Sequence, residues 1–108
     1  MPVYNKLVRD KIPEIIEKTG KKYKTKILSN EEYIKELHAK GFEELKEYVE
    51  AKDKESSLEE LADVLEIIHA LAEFHGSSIN EIEEIRRNKA DARGGFREKI
   101  YLVEVEDE

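Results

Sequence analysis

The chain has 108 residues, of which 42% are charged and 39% hydrophobic, and its formal net charge is -7 at pH 7. This length predicts a single domain spanning residues 1–108, and the regular spacing of the apolar residues excludes a disordered chain. The acidic balance argues against nonspecific nucleic-acid binding, which depends on cationic surface. The absence of cysteine excludes disulfides and zinc thiolate sites.

The hydropathy of the chain limits where the protein can act. No apolar run approaches the ~20 residues of a membrane-spanning helix, and the first residues lack an apolar signal segment. We therefore expect a cytoplasmic protein with neither a membrane nor a nucleic acid as its partner. Lys and Glu are abundant and Gln is absent, a bias that is typical of thermophile proteins.

The first predicted helix begins near Lys11 or Ile12, with Asp10 as its cap. Pro13 supports this start, because proline is tolerated only in the first turn of a helix. The helix is expected to end at Thr19, before a glycine. Its buried face would consist of Ile12, Ile15 and Ile16.

Two short segments have the alternating pattern of strands. From Lys22 to Leu28, lysines alternate with Tyr23, Thr25 and Ile27, which predicts a strand with a charged outer face. A second strand is predicted from Ile100 to Val105. Because an isolated pair of strands is marginal in water, we expect the two segments to pair and to lie on the helices.

Three further helices begin at capping signals, in which a serine is followed three residues later by glutamate. They are predicted to run from Ser29 to about Ala51, from Ser57 to Gly76, and from Ile79 to about Arg93. The third helix of the chain is apolar around most of its circumference, which places it at the centre. The predicted fold is therefore mainly α, a four-helix bundle with a small two-stranded β element.

Two pairs of carboxylates on these helices are spaced i,i+3: Glu44 with Glu47, and Glu60 with Asp63. Residues three apart lie side by side on a helix. Glu44 falls inside the apolar stripe of its helix, and the residues stacked above Glu60 and Asp63 are mostly apolar. Buried carboxylates are costly unless a cation accompanies them, and an all-oxygen ligand set suits Mg²⁺ or Mn²⁺. A second interpretation stays open, since any pair of Glu-rich helices contains such spacings by chance.

The paired acids also resemble a known signature, the ExxE and ExxD motifs of the all-α nucleotide pyrophosphohydrolases. This is the superfamily of MazG and phosphoribosyl-ATP pyrophosphohydrolase. The stretches from Asn5 to Ile16 and from Asn88 to Phe96 are similar to the two ends of a compact MazG-like branch that clears noncanonical nucleotides. The resemblance implies an Mg²⁺-dependent hydrolase that converts nucleoside triphosphates to monophosphate and pyrophosphate.

The resemblance also implies roles for individual residues. The metal ligands would be Glu44, Glu47, Glu60 and Asp63. Glu43 and Glu44 are the catalytic candidates, with Glu43 orienting or deprotonating the attacking water. Basic side chains would bind phosphate oxygens that the metal leaves uncovered; the candidates are Lys6, Arg9, Lys40, Lys89 and Arg93. Superfamily members suggest a homodimer or homotetramer.

Two other functions remain as alternatives. Glu66 and His69 have the Glu-x-x-His spacing of di-iron carboxylate bundles, but the sequence contains no second copy of that motif. A noncatalytic helical module that binds nucleotide or dimerises would also fit the composition. Such a module predicts no metal dependence and tolerance of Glu60→Gln, whereas the enzyme predicts the opposite.

Overall fold

The computed structural model describes residues 2–107 of the chain. Four helices form the fold: α1 (Ile12–Lys18), α2 (Asn30–Glu50), α3 (Lys54–Phe74) and α4 (Ile79–Arg93). The all-α class predicted from the sequence is thereby confirmed. No helix in the described part of the chain is both long and apolar enough to cross a membrane.

The helices α2 and α3 form an antiparallel hairpin that holds the core. Leu37 of α2 and Ala72 of α3 are each only 2% exposed. A Cβ atom placed on Gly41 would lie 3.4 Å from Ile67 Cγ2, so the two helices approach closely at this glycine. Because α3 also contacts α4, the prediction that it is the central helix is confirmed.

Serine side chains cap the starts of α2 and α4. At the start of α2, Ser29 Oγ accepts from the Glu32 backbone N–H at 3.2 Å and Glu32 Oε1 accepts from the Ser29 N–H at 3.1 Å. This is the predicted capping box. The predicted start of α4 is also confirmed, since Ser78 Oγ accepts from the Glu81 backbone N–H.

The predicted start of α3 is wrong by about one turn. The helix begins at Lys54, because Asp53 Oδ1 accepts from the Ser56 backbone N–H at 2.7 Å and so acts as the N-cap. Ser57 lies inside the helix, where its hydroxyl donates to the Asp53 carbonyl oxygen. A carboxylate four residues upstream therefore takes the capping role that the sequence analysis gave to Ser57.

The first helix also differs from its prediction in two respects. Its N-cap is Lys11, which makes no side-chain cap, and Asp10 does not take that role. Of the three isoleucines expected on its buried face, Ile12 and Ile16 are half-buried and Ile15 is 54% exposed. With seven residues, α1 is too short to cover a broad apolar face.

The predicted two-stranded element is absent from residues 2–107, in which no strand occurs. Residues 22–28 and 100–105 form irregular chain, and neither makes a backbone hydrogen bond with another described residue. The reason is topological. Residues 22–28 precede α2 and residues 100–105 follow α4. Among the described helices α4 contacts α3 alone, so no contact between α4 and α2 aligns these two segments.

The described chain is extended for its length. Its radius of gyration is 18.7 Å and its extents are 63 × 35 × 26 Å, whereas a compact domain of this size has a radius of gyration of about 13 Å. Large apolar side chains are exposed on the helical hairpin as well as on the tail. On the hairpin they are Phe42, Leu45, Val49, Leu58, Leu61 and Leu65.

Candidate functional site

Three carboxylates meet between α2 and α3. One oxygen each from Glu44, Glu47 and Glu60 lies within 4.8 Å of the others. Glu44 and Glu47 are one helical turn apart on α2, and Glu60 faces them from the first half of α3. The structure thus brings together three of the four acids that the sequence analysis proposed as metal ligands.

Two of these acids, the buried Glu44 and the half-buried Glu60, each have a buried oxygen without the partner that it requires. Glu44 is 8% exposed, as its position inside the apolar stripe of α2 predicts. The Oε2 atoms of both Glu44 and Glu60 are buried and accept no hydrogen bond from the described residues. Leaving a buried acceptor unsatisfied costs about 1–3 kcal/mol, and more where the group is charged.

This environment favours the protonated forms of both acids. Burial raises the pKa of Glu44 to about 7 from an ordinary value of 4.5, and the neighbouring carboxyl groups of Glu47, Glu60 and Asp63 act in the same direction. Burial also raises the pKa of Glu60, assisted by Glu47 and Asp63. Repulsion and burial both oppose three negative charges at this point.

Asp63, the fourth predicted ligand, has a cationic partner in the structure. Arg9 Nη2 donates to Asp63 Oδ1 at 2.6 Å. Asp63 is half-buried one turn beyond Glu60, but its oxygens do not join the group within 4.8 Å. The residue therefore lies beside the three acids and connects them to the N-terminal segment.

Two lysines lie beside the acids and are joined through Glu43. Lys6 Nζ donates to Glu43 Oε1 at 3.2 Å, and Lys40 Nζ lies 3.9 Å from Glu43 Oε2. Lys40 Nζ is also 3.8 Å from Glu44 Oε1. In this structure Glu43 thus holds two of the predicted phosphate-binding cations next to the acids.

The N-terminal segment closes one side of a cavity of about 260 Å³ over these residues. Its lining combines acids, cations and two apolar side chains: Val8, Arg9, Ile12, Lys40, Glu44 and Asp63. Val8 and Ile12 were not predicted as site residues. Helical periodicity cannot identify them, because Val8 precedes α1 and Ile12 was assigned to the core.

Lys89 and Arg93 are not brought to this cavity. Both are exposed on the last turns of α4, and neither lines the cavity of about 260 Å³. Among the described helices α4 contacts α3 alone. The phosphate-binding role predicted for these two residues therefore has no geometric support within one copy of the chain.

The donor set fits a hard divalent cation. All three converging ligands are carboxylates, two of them have a buried oxygen without a hydrogen bond, and neighbouring oxygens are close enough to share one ion. A bound cation would offset the burial of these oxygens and the repulsion among them. Glu66 and His69 belong to no such group in residues 2–107, so the di-iron alternative gains nothing from the structure.

A second, more open groove lies at the opposite end of the hairpin, where α2 begins and α3 ends. Tyr33 and Phe74 line it with ring centroids 6.2 Å apart. It contains one acid, Glu73, and no basic side chain. The cations and the carboxylate group both lie at the other cavity.

Comparisons of the chain with models of protein families, with curated proteins and with solved structures find no match.

Proposed function

We propose that the protein is an Mg²⁺-dependent nucleotide pyrophosphohydrolase of the MazG and phosphoribosyl-ATP pyrophosphohydrolase superfamily. Its substrates would be noncanonical nucleoside triphosphates, which it would convert to monophosphate and pyrophosphate. The observation that supports this most directly is the pairing of Glu44 with Glu60, each with a buried oxygen that lacks a hydrogen-bond partner. A core that contains such a pair gains stability when a cation binds it.

In this proposal Glu44, Glu47 and Glu60 hold the metal, and Asp63 completes the site when Arg9 turns to the substrate. The Arg9–Asp63 pair suits this exchange, since both side chains are partly exposed, at 57% and 38%. Exposed ion pairs contribute little to the free energy of unfolding, so this pair can break to bind phosphate with little loss of stability. Bound Mg²⁺ would supply Lewis-acid polarisation and charge neutralisation at the phosphate oxygens.

The cations beside the carboxylates would bind the phosphate chain. Lys6, Arg9 and Lys40 all lie beside the acids, and the N-terminal segment that carries two of them forms one wall. Phosphoryl transfer depends on charge neutralisation and on positioning more than on covalent catalysis. A site that combines a carboxylate group with three cations meets that requirement.

Glu43 would act on the nucleophilic water. The water oxygen forms a bond to a phosphorus atom while the phosphoanhydride bond breaks, and the water proton passes to the Glu43 carboxylate. In the free protein both Glu43 oxygens face lysines. When these lysines turn to the phosphates, the carboxylate becomes available as a base.

We further propose that the working protein is a homodimer or homotetramer in the cytoplasm. The support is the exposed apolar surface of the hairpin, where Phe42 is 74% exposed and Val49 is 73% exposed. Patches of this kind on a soluble protein mark contacts between subunits. The base and sugar of the substrate are left open, because no aromatic side chain lines the cavity of about 260 Å³.

The deciding experiment measures pyrophosphate release from canonical and damaged nucleoside triphosphates with Mg²⁺, with Mn²⁺ and with a chelator. Glu60→Gln is the test variant. Glu66→Gln is its matched control, because Glu66 is exposed on the same helix. Metal-dependent release that Glu60→Gln abolishes and Glu66→Gln retains is expected. Release that a chelator leaves unchanged would overturn the proposal, and no release with any triphosphate would favour the noncatalytic binding module.

A further inference from the structure

The chain after α4 exposes a run of strand-forming residues that makes no backbone hydrogen bond with another described residue. The exposed fractions are 84% for Ile100, 89% for Tyr101, 73% for Leu102, 82% for Val103 and 71% for Val105. Aromatic and β-branched residues favour strands. An exposed apolar segment of this kind pairs readily with another chain.

The segment before α2 has a complementary character. Residues 22–28 alternate lysines with Tyr23, Thr25 and Ile27, and Ile27 is 96% exposed. Neither this segment nor residues 100–105 forms a backbone hydrogen bond with another described residue. Both therefore offer unpaired N–H and C=O groups along a side-chain pattern that suits a strand.

Charge distinguishes the two segments and makes them a matched pair. Lys22, Lys24 and Lys26 lie in the first segment and Lys21 directly precedes it, whereas Glu104 lies in the second segment and Glu106 and Asp107 directly follow it. Opposite charges on neighbouring strands stabilise the pair, and like charges oppose it. Pairing of either segment with its own copy would be opposed by this charge, so each favours the other as its partner.

The two segments do not pair by backbone hydrogen bonds within one copy. The second segment follows α4, which contacts only α3 among the described helices. The radius of gyration of 18.7 Å reflects this open arrangement. A second copy of the chain removes the obstacle, because each copy carries both segments and a two-fold axis makes both pairings at once.

We infer that residues 22–28 of one copy pair with residues 100–105 of a second copy as neighbouring β-strands. The tail of each subunit then crosses to the other, and the exposed apolar side chains of both segments are covered in the dimer. This is strand addition between identical chains. It extends the proposal of an oligomer by naming the segments exchanged, and it does not depend on the catalytic proposal.

The absence of cysteine from the chain permits a direct test. Two single variants, Thr25→Cys and Val103→Cys, are purified separately, mixed and oxidised. Thr25 lies at the middle of its segment and Val103 near the middle of the other, so strand pairing in either direction brings them close. A disulfide between these two variants joins two copies by construction, and Thr25→Cys mixed with Glu84→Cys, on the exposed surface of α4, is the control.

A linked product at several times the yield of the control pair is expected. Yield at the control level would overturn the inference. A chain that carries both cysteines and links only within itself would overturn it as well, by showing that the segments pair inside one copy.

Amide hydrogen exchange gives a second readout that needs no cysteine. In the full chain the amides of residues 22–28 should be protected at concentrations where the protein is oligomeric. Removal of residues 100–108 should speed their exchange at least tenfold, while α2 and α3 stay protected. Equal exchange of residues 22–28 in the two proteins would overturn the inference. Neither readout involves a nucleotide, so a negative result would overturn the inference about strand pairing and leave the enzymatic proposal unaffected.

Discussion

Glu44 of α2 and Glu60 of α3 each present a buried carboxylate oxygen that accepts no hydrogen bond from the described residues. Both belong to the same group of oxygens within 4.8 Å, which also includes Glu47. A hairpin whose core tolerates this arrangement gives up stability that two apolar residues would have provided. The loss is explained if a divalent cation binds at this position.

The first prediction is that Mg²⁺ stabilises the protein through these acids. At a Mg²⁺ concentration about 100 times the dissociation constant, the free energy of unfolding should rise by about 2.7 kcal/mol over the value with a chelator. Chemical denaturation with and without Mg²⁺ measures this difference. The variant Glu60→Gln should lose most of the Mg²⁺ effect, whereas Glu66→Gln should keep it. An equal Mg²⁺ effect in both variants would show that the ion binds elsewhere.

The second prediction concerns the metal-free protein. The pKa of Glu44 is raised from 4.5 to about 7 in the folded state. Between these two pH values the folded protein therefore holds a proton on Glu44 that the unfolded chain has lost. Stability is therefore greatest at low pH within this range and falls as the pH rises through 7. We expect the free energy of unfolding in chelator to decrease by on the order of 2 kcal/mol between about pH 5 and about pH 8.

A matched pair of variants tests this assignment by denaturation at both pH values. The glutamine of Glu44→Gln is neutral at every pH, so most of the pH dependence should disappear. At high pH the metal-free variant should be more stable than the metal-free unmodified protein. Glu66→Gln, on the exposed side of α3, should keep the full dependence. The assignment to Glu44 is wrong if Glu44→Gln and the unmodified protein lose stability in parallel as the pH rises.

The burial of Glu44 was predictable because it depends on local geometry. The 3.6-residue period of α2 places Glu44 in line with Leu37 and Tyr48, and the structure buries it. The serine caps at Ser29 and Ser78 are also local, and both start helices as predicted. Sequence signals of short range therefore predicted the burial of Glu44 and the starts of α2 and α4.

Features that depend on distant parts of the chain were not predictable. Arg9 and Asp63 are 54 residues apart in sequence, and no periodicity connects an irregular segment to a helix. The strand patterns of residues 22–28 and 100–105 are clear, yet a strand requires a neighbour whose position only the tertiary fold determines. At α3, Asp53 and Ser57 are both acceptable caps, and sequence preference alone does not choose between them.

The third prediction tests that choice. Replacing Asp53 with alanine removes the carboxylate that accepts from the Ser56 N–H, and loss of an N-cap costs about 1 kcal/mol. Ser57→Ala removes only the hydroxyl bond to the Asp53 carbonyl oxygen and should have the smaller effect. Thermal or chemical denaturation compares the two, with Lys52→Ala as the neighbouring control. A larger loss for Ser57→Ala would restore the start predicted from the sequence.

The fourth prediction separates substrate binding from stability at Arg9. In the free protein Arg9 pairs with Asp63 on the surface, and an exposed pair of this kind contributes about 0.2–1 kcal/mol. Arg9→Gln should therefore have little effect on unfolding. If Arg9 binds the phosphate chain as we propose, the substitution also removes a charged hydrogen bond worth about 1.5–3 kcal/mol, so KM should rise about 10-fold or more. If the bond forms equally in the ground and transition states, kcat should change little.

Arg86 provides a closely matched control for this measurement. It pairs with Glu83 at the same distance of 2.6 Å as Arg9 with Asp63, and its side chain is 61% exposed against 57%. Since Arg86 lies on α4 and outside the lining of the cavity, Arg86→Gln should leave KM unchanged while altering stability as little as Arg9→Gln does. Equal KM values for the two variants would mean that Arg9 serves only to hold the N-terminal segment against α3. A KM that rises for Arg9→Gln alone would assign the phosphate chain to the side of the cavity that this segment forms.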